Sequence, residues 1–293
     1  MLTQSEQDLS SARPNIVDFD GIRELHYLGN YIRRLPVNMA RMMENAYDWE
    51  HLPYVHASSF ASIDLIASGP WGWRAKIGLP EASGGAFQLL DLLVAREKNY
   101  WVSTVYSGPG AGVQIHTQAR EVSSEEIEVD VRFYLPEAPA DDAVSQAALR
   151  YLTDQYATLY DEDTGLMSGR QQALDHKAKG ALSDKTSAAV LVGAISDLNP
   201  DAEHLVETPA GRICVRHWRG RWIAHTATCP HLLGPLAEGP VTEDGVITCP
   251  WHGYRFDIQS GASRDGKCRA LTPAPDLFET DDGLYVRIES GLN

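Results

Sequence analysis

The sequence has no apolar run approaching the roughly 20 residues that a membrane-spanning helix needs, which removes helical membrane proteins from consideration. It is short of basic residues: 25 Lys+Arg stand against 40 Asp+Glu, a formal net charge of −15. A binder of phosphate backbones or anionic membrane surfaces needs the opposite balance, so no nucleic acid and no membrane is expected as a partner. Cysteine is scarce as well. Four in 293 residues do not make a disulfide scaffold. The opening segment MLTQSEQDLSSARPN lacks the basic and apolar stretches of a signal peptide, so a cytoplasmic protein is expected. What the four cysteines do becomes the question.

The chain is long enough for one large domain or two ordinary ones. Residues 1–24 read as a loose polar leader. From about Leu35 to His56 the composition is helical, with Met39, Met42, Met43 and Ala46 spaced for one apolar face. Six strand-like stretches follow, near residues 60–67, 71–78, 86–94, 99–107, 112–120 and 126–135, separated by Gly, Pro and Asn turn signals. In the sixth, Ile127, Val129, Val131 and Phe133 alternate with charged residues, the pattern of a sheet with one face buried. A long helical stretch from about Asp141 to Lys177 comes next, weakened midway by Gly165 and Gly169. Helix, antiparallel sheet and long helix in this order indicate an α+β domain over residues 25–176. Residues 177–189 are small and polar and read as a linker. Beyond them, short β-like pieces between Gly, Pro and Asp mark residues 190–293 as a small all-β domain.

That second domain carries Cys229-Pro230-His231 and, seventeen residues later, Cys249-Pro250-Trp251-His252. Two thiolates can hold one iron of a [2Fe–2S] cluster while two imidazoles hold the other. A Cys₂His₂ zinc site usually pairs like ligands, whereas each hook here supplies one Cys and one His. The stretches CPHLLGPLAEGP and CPWHGYRFDIQSGA resemble the two cluster loops of Rieske proteins, in the ferredoxin and oxygenase branch. Tyr254 and Phe256 stand where respiratory Rieske proteins place cluster-bonding hydroxyls. The resemblance therefore implies a potential at the lower end of the Rieske range. Cys214 and Cys268 are expected to be inert thiols.

The first domain contains Glu44-Asn45 followed by Asp48, His51 and His56. Histidines five apart lie about 140° apart around an ideal helix, too far to share a metal, but Pro53 between them must bend or end the helix. Asp48, three residues before His51, can accept a hydrogen bond from its ring. This Asp-x-x-His-x-x-x-x-His pattern is similar to the catalytic motif of Rieske non-haem iron oxygenases. The resemblance implies that His51 and His56 bind a mononuclear Fe(II), with Asp48 linking that iron to a cluster histidine. A facial triad also needs a carboxylate. The family takes it from the long helix, where this sequence offers Asp161, Glu162 and Asp163; Asp163 fits the spacing best, with the other two left open.

The resemblance further implies a START-like helix-grip fold with an apolar cavity. Trp73, Phe87, Leu89, Tyr106, Val113, Ile115 and Phe133 are candidates for its lining or simply for the core, while His116 is expected to be a non-ligand. The family usually places the Rieske domain first, and here that order is reversed. The implied activity is O₂-dependent hydroxylation or oxidative demethylation of a hydrophobic, even aromatic, small molecule. Electrons would come from a separate NAD(P)H-dependent reductase, with or without a ferredoxin. A homotrimer is the usual family assembly. An extended linker of about 14 residues reaches roughly 46–50 Å, so delivery within or between chains stays open. Two alternatives remain: a Rieske electron carrier fused to a non-catalytic hydrophobe-binding domain, and a ferredoxin-like subunit of a larger reductase.

Overall fold

The computed structural model describes residues 2–180, 189–208 and 211–287. The chain divides into two compact units, Met1–Ser168 and Gly169–Asn293, with the division falling inside the long helix.

The first unit is built on one antiparallel sheet. Its strands are β1 (His26–Leu35), β2 (Ser62–Gly69), β3 (Gly72–Gly78), β4 (Phe87–Ala95), β5 (Tyr100–Ser107), β6 (Gln114–Ser123) and β7 (Glu126–Leu135), in the order β1-β7-β6-β5-β4-β3-β2. Strands β2 to β7 are a meander, each turning back beside its predecessor. β1 closes the far edge by pairing with β7 from His26–Leu135 to Leu35–Ile127. No strand is legible at β1 in the sequence, because Arg33-Arg34 and a bulge at Tyr27/Gly29 break its alternation.

Between β1 and β2 lie helices α2 (Met39–Tyr47) and α3 (Leu52–Val55). Asn38 caps α2 by accepting from the Arg41 N–H, and Met39, Met42, Met43 and Ala46 form its buried face. The expected single helix to His56 is in fact two. α2 ends at Asp48, and Pro53 opens α3 instead of breaking a longer helix, as its fixed φ and missing N–H favour.

Helix α4 (Asp142–Gly180) runs on through Gly165 and Gly169 without interruption. Of the expected linker 177–189, residues 177–180 continue α4 and Ala189 opens the next strand, while residues 181–188 lie outside the described residues. Against the sheet, the ring of Tyr156 packs edge-on to Phe133, 5.6 Å between centroids, and Arg33 of β1 donates to the Ala157 carbonyl and pairs with Asp161. Sheet and helix together form the START/Bet v1-like helix-grip, an α+β arrangement.

The N-terminal stretch is not a loose leader. Helix α1 (Gln4–Ser11) starts with a Thr3/Glu6 capping box, and Glu6 pairs with Lys76 of β3 at 2.8 Å. Arg13 and Arg74 both reach the wholly buried Asp91 of β4, and the Ser10 hydroxyl meets the Tyr106 hydroxyl at 2.9 Å. These anchors are single charged and hydroxyl positions on strands, which hydrophobic periodicity cannot register.

His116 of β6 is satisfied by its neighbours: Nε2–H donates to Gln114 Oε1 at 2.9 Å and the Tyr100 hydroxyl donates to Nδ1 at 2.8 Å. Burial, with Arg132 nearby, pushes it down to about 4. Below its ordinary value of about 6.5, the unfolded chain takes up a proton that the folded one refuses. Stability present above that value is therefore lost as pH falls toward 4, by up to roughly 3 kcal/mol for this residue. Denaturant titrations at pH 7 and 4.5 check this. His116→Asn, which keeps an acceptor for Tyr100, should lose less stability on acidification than the wild type, and equal losses would refute the assignment.

Among its described residues the second unit holds three small sheets. They are β9-β10-β11 (His204–Thr208, Gly211–Trp218, Arg221–Thr226), the pair β12-β13 (Val246–Thr248, Arg255–Asp257), and β8-β15-β14 (Ala189–Gly193, Gly283–Arg287, Leu277–Thr280). Leu198, Val206, Ile213, Val215, Ala224, Leu284 and Val286 form its apolar core. The two cysteine–histidine hooks follow β11 and β12. Cys214 is buried on β10 beside Ala227 and Ala237, Cys268 is half-buried in a loop, and no disulfide forms among the described residues.

Candidate metal centres

In the first unit the break between α2 and α3 brings two imidazoles together. His51 and His56 are both buried, with ring centroids 5.1 Å apart and planes at 71°. Asp163 of α4 completes the set: its Oδ1 lies 3.4 Å from His51 Nε2 and 3.0 Å from His56 Nε2. Donor atoms held about 2.1 Å from one ion at right angles lie about 3 Å apart, so this spacing suits three facial ligands. The set of two imidazoles and one carboxylate is one that iron accepts with positions left open. The residues therefore fit a mononuclear metal.

Each histidine has a carboxylate behind it. Glu162 Oε2 lies 2.7 Å from His56 Nδ1, and Asp48 Oδ2 lies 3.5 Å from His51 Nδ1, a long contact that leaves that nitrogen without a normal hydrogen bond. Burial pushes His51 down, but Asp163 and Asp48 outweigh it and raise it to about 9. Burial likewise opposes ionisation of Asp163, yet the two histidines hold its carboxyl well below the usual carboxylate range. Of the three candidate acids Asp161, Glu162 and Asp163, only Asp163 lies against both histidine Nε2 atoms; Asp161 is exposed against Arg33.

The triad borders a cavity of about 120 Å³ lined by Met42, Phe60, Trp73, Leu90, Leu92 and Trp101, with Asp48, Asn45, Ser103, Tyr156 and Tyr160 among its polar members. Of the expected lining residues only Trp73 is there. Phe87 is exposed and Tyr106 packs against Ser10 and Arg13 of the N-terminal segment. Leu90 and Leu92 lie two apart on β4 and share its cavity-facing side, while Leu89 alternates to the other face.

In the second unit the two hooks are mirror loops. The Cys229 N–H donates to the Gly234 carbonyl and the Cys249 N–H to the Tyr254 carbonyl, both at 2.8 Å; Leu233 and Gly253 return N–H bonds to the cysteine carbonyls. Leu233 and Gly253 occupy the same left-handed position in the two loops, φ 60° and 65°. A side chain at Gly234 would come within 2.9 Å of Cys249 Sγ, so this close approach requires glycine. Cys229 and Cys249 are buried, and the His231 and His252 rings stand 4.5 Å apart at 86°. A hydrogen bond from Cys229, with His252 nearby, lowers Cys249 to about 5, and the same bond pushes Cys229 up. Ready thiolate formation suits metal binding. The Tyr254 ring packs 4.6 Å from His231. Two cysteines and two histidines converging from paired loops fit a [2Fe–2S] cluster.

Fold and sites thus define a class: a helix-grip domain with a buried two-histidine, one-carboxylate set, joined to a cluster-binding β domain. More particularly, residues 188–276 match the Rieske [2Fe–2S] domain family, and the C-terminal unit is a Rieske domain. Over 45 residues, 15% of this chain, the sequence is 42% identical to pheophorbide a oxygenase of Oryza sativa, of which that is 8%. It is 41% identical over 49 residues, 17% of this chain and 39% of the relative, to the ferredoxin component of the alkene monooxygenase system of Xanthobacter autotrophicus. Among solved structures, the Zhui aromatase/cyclase from Streptomyces sp. R1128 covers 51% of this chain and 98% of its own, with 8% identity and a TM-score of 0.43. The chain spans less than half the length of these two curated relatives. Among the described residues no helix is long and apolar enough to cross a membrane.

Proposed function

We propose that the protein is the oxygenase component of a Rieske non-haem iron system. The observation that carries this reading is the convergence of His51, His56 and Asp163 on an apolar cavity, in a chain that also contains a Rieske domain. An iron at the triad supplies O₂ activation, and the cluster supplies electrons one at a time. The residues do the rest. His51, His56 and Asp163 fix the metal on one side. Met42, Trp73, Leu90, Leu92 and Trp101 hold a hydrophobe and exclude water. An engineered apolar cavity of about 150 Å³ accepts benzene, so a cavity of about 120 Å³ suits a substrate of about one ring. The reductase partner, with or without a ferredoxin, is part of this proposal, as are the mono- or dioxygenase outcome and any trimer.

Iron analysis with an O₂-uptake screen over single-ring hydrophobes tests the reading. Two irons per cluster plus one at the triad give about three per chain. Two irons, all in the cluster, would leave an electron carrier joined to a binding domain and overturn the oxygenase.

A further inference from the structure

We infer that Glu162 is the positioning residue for His56, fixing its ring orientation and tautomer so that Nε2 faces the metal. This rests on the proposed reading of the triad as a metal site. His56 is gripped at both ring nitrogens by consecutive residues of α4: Glu162 Oε2 at 2.7 Å from Nδ1, and Asp163 Oδ1 at 3.0 Å from Nε2. The Glu162 carboxylate can only accept, so Nδ1 carries the proton and donates it. With that proton fixed on Nδ1, a metal held at Nε2 would take the place of the Nε2–H that otherwise donates to Asp163 Oδ1. A carboxylate behind a ligating imidazole also makes the ring a stronger donor.

The two histidines are not equivalent in this respect. The contact behind His51, from Asp48, is 3.5 Å, whereas the one behind His56 has the length of a charge-assisted hydrogen bond. His56 is therefore the firmly held ligand and His51 the looser one. In the sequence, Glu162 stands beside the best-fitting Asp163 as one of two acids left open as the ligand. The geometry separates it from the ligand beside it and gives it a distinct task.

The test measures metal affinity without turnover. Purified full-length wild type and Glu162→Ala, Glu162→Gln and Asp161→Ala variants are titrated with Fe(II) against a chelator. The cobalt-loaded triad is followed by its absorption bands, and the cluster spectrum serves as a folding control. Glu162→Ala should weaken metal binding about 10–100-fold and shift the cobalt bands. Glu162→Gln, whose amide oxygen still accepts from Nδ1–H, should recover most of the affinity, and Asp161→Ala should match the wild type. If the alanine variant fails to fold, Glu162→Leu takes its place. Unchanged affinity on loss of Glu162, or an equal loss in Asp161→Ala, would overturn the inference. Wild type that binds no metal at the triad overturns both this inference and the oxygenase. Metal binding with the expected variant order but no substrate oxidation overturns the oxygenase alone.

Discussion

Asp163→Ala is expected to reduce the iron content from about three to about two per chain and to leave less than ~1% of substrate oxidation. Its carboxylate is the triad's one anionic donor, and its Oδ1 is the atom shared between the two Nε2 positions. Loss of a supporting residue around a metal already costs 10–100-fold in affinity, and loss of a ligand should cost more. The cluster irons should remain, because Cys229, His231, Cys249 and His252 all belong to the second unit. Asp161→Ala is the matched control, since Asp161 lies at the surface against Arg33. Iron counting and the cluster's visible spectrum read both effects together. Retention of a third iron by Asp163→Ala would show that the carboxylate is not a ligand.

The choice among Asp161, Glu162 and Asp163 was legible in the sequence by a route that a local motif does not offer. Tyr156, Tyr160, Asp163 and Met167 recur at the i, i+4, i+7, i+11 spacing of one helix face. Asp163 lies on that face, while Asp161 and Glu162 are turned away from it by about 160° and 100°. A carboxylate embedded in an otherwise apolar stripe is the one aimed inward. The cluster hooks were more transparent still, because both ligands of each hook lie within four residues, so that a single loop conformation positions them. The six strands from β2 to β7 were legible for a similar reason: the turns from β2 to β6 carry Gly, Pro or Asn, and each strand pairs with its sequence neighbour.

What the sequence concealed depends on long-range contacts. β1 pairs with a strand a hundred residues away and carries two adjacent arginines, one of which serves α4. The cavity gathers its lining from residues as far apart as Met42 and Tyr160, on α2, β3, β4, β5 and α4. The anchoring of the N-terminal segment turns on Asp91, a buried acid whose two arginine partners are 17 and 78 positions distant. In each case the information is a pairing, and a pairing between distant positions has no local periodicity.

The second large effect concerns Asp48, which caps the C-terminal end of α2 and faces His51 Nδ1 at 3.5 Å. Asp48→Asn should leave about three irons per chain but lower substrate turnover about 100-fold. Asparagine is close to aspartate in size and leaves an amide oxygen in the same place beside Nδ1, so the triad keeps its shape. Only the negative charge beside His51 is lost. The loss in turnover therefore reports what that charge contributes to electron delivery, separately from metal retention. Two measurements separate the steps. Reduction of the cluster by a chemical reductant should proceed at the wild-type rate, while its reoxidation on mixing with O₂ and substrate should slow in parallel with turnover. Reoxidation at the wild-type rate would exclude Asp48 from the delivery route and leave it as a cap on α2. A third iron missing from Asp48→Asn would instead make it a support for His51, the counterpart of Glu162 behind His56.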